Sequence, residues 1–213
     1  MRQFLRKLFL FSIGFLVFQS CKSFKTENLG TGENHSQIID NLYFSSKNTD
    51  YIYKSQVDIY DNQLSGILII KKINDDFHRV VLTSDFGNKL FDFEISQKDF
   101  KLNYIIPDMD KGMVKRFLEK DFRIMLREKF TSDKMFTNEQ FIIYQSEENK
   151  ENYFLYFDKA NELLTKIIYT EHGREKINFS FEAKKSIFAD EIEIAHKDFK
   201  INIKLNQITE NMQ

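Results

Sequence analysis

From residue 51 onward the chain alternates apolar and polar residues in short stretches separated by turns, and this period of two restricts it to antiparallel β-structure. Tyr51, Tyr53, Val57 and Ile59 alternate with Lys54, Gln56 and Asp58, and an apolar run follows at 67–70. Asn74-Asp75-Asp76 and Phe86-Gly87-Asn88 are turn sequences flanking stretches at 77–84 and 90–95, after which Phe100, Leu102, Tyr104 and Ile106 alternate again. Further stretches lie at 141–144, 153–157, 163–170 and 176–182, with Glu171-His172-Gly173-Arg174 as a hairpin turn. The cleanest alternation comes last, in Ile192 and Ile194 and then Phe199, Ile201, Ile203 and Leu205. Connections this short join neighbours in a meander. The 23 Phe and 9 Tyr, with a single Pro, supply the side chains that favour a pleated, half-buried surface.

Two segments depart from this period. Residues 35–45 place Ile38, Ile39, Leu42 and Tyr43 on one side of a short helix. After Pro107, residues 108–128 read as a second helix with Met113, Phe117, Phe122, Met125 and Leu126 on its apolar face and Asp108 or Asp110 as its cap. The pattern predicts one α+β domain over 35–213, mainly antiparallel β, in which about ten or eleven strands form a highly curved sheet around the helices.

The N-terminus has a different logic. Arg2, Arg6 and Lys7 precede an apolar stretch at 8–18, and Ser20 then precedes Cys21. That is the layout of a secretory signal peptide, with an apolar segment too short to span a bilayer. The motif resembles the lipobox of bacterial lipoproteins, which implies cleavage after residue 20, N-acyl diacylglyceryl modification of Cys21 with palmitate-type chains, and a permanent membrane anchor. Cys21 is the only cysteine, so an internal disulfide is excluded. Residues 22–34 are polar and aperiodic and read, with the lipidated Cys21, as a flexible tether.

A net charge of −1 gives no basis for binding nucleic acid. His35, His78, His172 and His196 are scattered without ligand spacing, so no metal is expected. Catalytic Ser, His-Glu-x-x-His and phosphate-loop motifs are missing, which argues for a binding protein with neither enzyme activity nor cofactor.

The segment from Arg79 through Leu82, Thr83, Phe86 and Gly87 to the strand at 90–95 resembles the LolB family of outer-membrane lipoprotein receptors. The closing pair at 191–205, Gly66 in its apolar strand and the mid-chain helix fall in that family's order, although Asp85 stands where the family usually has proline and tryptophans are missing. The resemblance implies a half-open barrel with helices as a lid over an apolar cavity. It further implies a monomer on the periplasmic face of the outer membrane that takes acylated lipoproteins from a soluble LolA-like carrier. Phe86 and Gly87 then form the acyl-transfer loop, with Phe86 either protruding or folded back under its hairpin. Tyr53, Phe77, Phe91, Phe93, Tyr104, Tyr153 and Phe157 either line the cavity or pack a dry core. The alternative is an envelope lipoprotein of the same fold that binds another lipid or scaffolds a membrane complex.

Overall fold

The structure, a computed structural model, describes residues 24, 26–60 and 62–208. The expected leader and Cys21 lie outside the described residues. Thirteen strands form one antiparallel sheet that curves without closing. Strands β2 (Asp50–Ile59), β3 (Asn62–Lys72), β4 (His78–Ser84), β5 (Lys89–Ile95) and β6 (Phe100–Ile105) make one meander. Strands β7 (Lys129–Thr137), β8 (Phe141–Glu148), β9 (Glu151–Asp158), β10 (Leu164–Glu171), β11 (Arg174–Glu182), β12 (Glu191–His196) and β13 (Ile201–Gln207) make the other. The two join where β13 pairs with β2. There Ile201, Ile203 and Leu205 stand opposite Ile59, Val57 and Ser55 on the inner face, while Lys204 and Gln56 share the outer one. β1 (Thr31–Asp40) and β6 are the two free edges, so the architecture is a half-open barrel.

The two strands that alternation does not reveal, β1 and β7, pair with each other. Residues 35–40 are strand rather than helix, and Ile38 of the expected apolar side is exposed. A helix this short is marginal on its own, and β7 offers a full ladder of backbone partners instead. Both strands are polar for their length because β1 is an edge with little to bury, which hides the period of two. The tether expected over 21–34 is likewise corrected among its described residues. Thr26–Leu29 is a 3-10 turn, β1 begins at Thr31, and the Phe24 amide donates to the Gly173 carbonyl at 2.8 Å. Phe24, Leu29 and Phe136 cover Phe154, Tyr156 and Ile168, so β9 and β10 are buried on both faces.

The inserted helix α1 runs over Gly112–Met125, shorter at both ends than the expected 108–128. Pro107–Met109 forms a 3-10 turn instead, and neither Asp108 nor Asp110 caps α1, whose N-cap position is Lys111 without a side-chain bond. Asp110 pairs with Lys115 at 2.7 Å. On the concave side of the sheet Leu118, Phe122 and Met125 are buried. Phe122 meets Phe91 and Phe93 edge-on at ring separations of 6.4 and 5.3 Å, and Phe93 also meets Phe100 at 5.1 Å. These rings close the interior against the helix.

Two local features make testable demands. Gly66 lies so close to β4 that a Cβ would stand 1.8 Å from the Thr83 carbonyl oxygen. Because that obstacle is backbone, Gly66→Ala should destabilise the fold by about 3 kcal/mol through separation of β3 from β4; a shift in the urea midpoint checks it. His78 is buried with Nε2 2.9 Å from the Phe44 carbonyl, beside the Lys72–Glu128 pair. Burial pushes its pKa below the ordinary histidine value, against the raising effect of the Phe44 carbonyl and Glu128. Below about pH 6.5 the unfolded chain therefore takes up this proton before the folded one, so stability falls with acidification. His78→Gln, which keeps a donor for Phe44, should remove up to about 1.4 kcal/mol per pH unit from the acid slope of wild type. Urea unfolding between about pH 7.5 and about pH 5 measures the difference.

Candidate functional site: an apolar cleft under the inserted helix

The concave wall and α1 do not meet everywhere. Between them lies a cleft walled by Val57, Leu68, Leu82 and Phe91 from β2–β5, Ile201 and Ile203 from β13, and Met113, Phe117, Leu118 and Phe122 from α1. Ser55 and Asp121 are its two polar lining residues. Its free volume is about 40 Å³, space for a small group with the helix seated as it is. Longer occupants require α1 side chains to move aside.

Of the lining residues, Ile59, Leu64, Met109, Met113 and Ile201 lie toward the end of the barrel that carries the β2–β3, β4–β5 and β12–β13 turns and the start of α1. The Tyr60 amide donates to the Lys200 carbonyl at 2.7 Å, which links the β2–β3 and β12–β13 turns, and the Ile106 amide donates to the Leu90 carbonyl at 2.9 Å, which continues β6 along β5. Tyr60, Phe86, Met113 and Phe199 are exposed apolar side chains at that end. Phe86 stands out with 93 % of its surface exposed.

The geometry of its turn explains why. The Gly87 amide donates to the Ser84 carbonyl at 2.9 Å, and the Ser84 amide to the Asn88 carbonyl at 2.7 Å. Gly87 has φ of 82°, a region that favours glycine and tightens the reversal. Asp85 accepts from Lys54 and, at 2.5 Å, from the Ser65 hydroxyl, which ties the turn to β2 and β3. With Asp85 held against the outer face of β2 and β3, Phe86 projects into solvent at the tip of the turn.

Of the seven aromatics considered for the cavity, Phe91 lines the cleft. Phe93 is in the dry core between Phe91, Phe100 and Phe122. Tyr53 is buried and donates to the Ala189 carbonyl at 2.9 Å. Tyr153 donates to Glu151 at 3.0 Å beside Arg127, and Phe157 packs at the margin of the core against Tyr144. Phe77 lines a polar cleft of about 620 Å³ near the other end of β4, with Lys72, Arg123 and Glu128. Tyr104 is exposed on the outer face under Lys89. A bulge causes the last placement: Leu102 pairs with Phe93 but Tyr104 with Asp92, so Asn103 is the extra residue and the alternation flips.

Asp121 was not singled out by its sequence context. Its carboxylate is 1 % exposed, with Oδ2 2.9 Å from Nε2 of His196 in β12. Burial raises its pKa, and His196 opposes that shift. Phe117 covers His196 edge-on at 5.0 Å. The available signal was positional, since Asp121 sits between Leu118 and Phe122 on the buried stripe of α1.

No protein-family model matches the chain, and no curated protein matches its sequence. Among solved structures it is similar to a domain from Vibrio parahaemolyticus described as an outer membrane lipoprotein-sorting protein domain. That likeness has a TM-score of 0.46 and 10% identity, and covers 77% of this chain and 86% of that one.

Proposed function

We propose that this chain is a lipid-anchored envelope protein that binds the acyl chains of lipoproteins in the cleft under α1 and passes them to a membrane at its Phe86 end. It does so without catalysis or cofactor. The observation that carries this reading is the coincidence of an apolar cleft and an exposed apolar rim at one end of the barrel. Acyl chains make no hydrogen bonds, so their binding follows buried apolar area at about 25 cal/mol per Å². A wall of aliphatic and aromatic side chains suits that chemistry and tolerates many protein cargoes.

The path of the chain supports the orientation. Phe24 is held at the β10–β11 turn, and the Lys197 amide donates to Lys176 at 2.9 Å to link the adjoining β12–β13 turn to β11. Cys21 precedes Phe24 by three residues, so an anchor there brings the rim to the bilayer of the outer membrane. Phe86, Tyr60 and Phe199 then meet the lipid surface, and a soluble LolA-like carrier supplies the cargo.

The small free volume favours a second reading, an envelope lipoprotein of this fold that binds another lipid or scaffolds a complex. Binding of a fluorescent peptide with and without its acyl chain, to full chain carrying Cys21→Ser, separates the two. The receptor reading expects the acylated peptide to bind at least about a hundredfold more tightly. Equal, weak binding of both peptides rejects it in favour of the scaffold.

A further inference from the structure

The cleft is apolar apart from Ser55 and Asp121, and Asp121 occupies a place where packing alone favours leucine. Its hydrogen bond to His196 ties α1 to β12 but uses only Oδ2. Oδ1 is fully buried and has no hydrogen-bond partner among the described residues. Leaving an acceptor unpaired in such surroundings is costly, and native proteins retain such groups where they have a use. A purely structural tie to His196 does not account for the second oxygen.

We propose that Asp121 is a ligand-binding residue, whose Oδ1 accepts a hydrogen bond from an N–H or O–H group carried on an otherwise hydrocarbon ligand. This rests on the acyl-chain reading above and narrows it to chains that bring a donor, either the amide of an N-acylated terminus or the hydroxyl of a free lipid. Ser55 lines the same cleft as a second polar residue, and because Oδ1 has no free surface with the helix seated, a donor reaches it as α1 side chains move aside for the chain. Esters and carboxylates of equal length satisfy the apolar wall but bring no donor to Oδ1.

The test compares four laurate derivatives bound to full chain carrying Cys21→Ser: lauryl alcohol, N-methyl lauramide, methyl laurate and laurate. The alcohol and the amide should each bind about tenfold or more tightly than the ester, and laurate most weakly. Tighter binding of the amide than of the alcohol identifies an N-acylated terminus as the source, and the reverse identifies a free lipid. Asp121→Leu should abolish the preference for donors, so that alcohol, amide and ester bind alike. The carbon NMR signal of the Asp121 carboxyl gives a readout in wild type, and should move with the alcohol but not with the ester. Equal binding of alcohol, amide and ester overturns the Asp121 assignment and leaves the acyl-chain reading intact. A donor preference that survives Asp121→Leu overturns it as well. If no derivative binds, both readings fall.

Discussion

Phe122→Ala is expected to cost about 3–5 kcal/mol of stability. The ring is buried where α1 meets the concave wall and contacts Phe91 and Phe93, while Phe93 in turn contacts Phe100. Its removal enlarges the cleft that it lines, so the loss includes both transfer of the ring to water and an incompletely collapsed hollow. Urea unfolding measures the first effect. The second has the opposite sign for ligands, because an emptier cleft takes a short hydrocarbon with less rearrangement. A variant within about 1 kcal/mol of wild type shows that α1 is not packed on the wall as described.

Phe86→Glu, by contrast, should leave stability within about 0.5 kcal/mol, because the side chain is almost wholly exposed and its turn is held by Asp85 and Gly87. Delivery should suffer instead. Burying a phenylalanine in an apolar phase contributes about 1.5–3 kcal/mol, and glutamate both forfeits that and resists entering lipid. Transfer of an acylated fluorescent peptide from the protein to phosphatidylglycerol-containing vesicles should slow by about tenfold or more. The same peptide should bind the variant as tightly as it binds wild type, since Phe86 does not line the cleft. Unchanged transfer removes Phe86 from the mechanism.

These expectations draw unequally on what the residues alone disclose. Strands such as β2 and β13 are readable because they bury one face and burial writes a period of two into the sequence, whereas β9 and β10, buried on both faces, are readable as continuous apolar runs. β1 and β7 are not, since an edge strand needs backbone partners more than apolar ones and its pairing is non-local. The tight turn at Phe86 and Gly87 is legible in the sequence, but whether Phe86 protrudes or folds back under its hairpin is not. Tyr104 faces outward instead because a single bulged residue reverses the alternation, and nothing local announces a bulge. The cleft itself arises between elements far apart in the chain, so its lining from Met109 to Phe122 and from Ile201 to Ile203 emerges only when α1 is seated on the sheet. Asp121 was visible only as a charged residue on an apolar stripe.

Entry of hydrocarbon between α1 and the sheet is open to direct observation. A photoreactive fatty acyl peptide, with its diazirine at the chain end, can be bound to full chain carrying Cys21→Ser, irradiated, and the attachment sites read by mass spectrometry. Labelling is expected at Leu82, Phe91, Leu118 and Ile203, which line the cleft from four different elements. Labels confined to the outer face, at Tyr104 or Ile38, or no labelling on a correctly folded chain, contradict it.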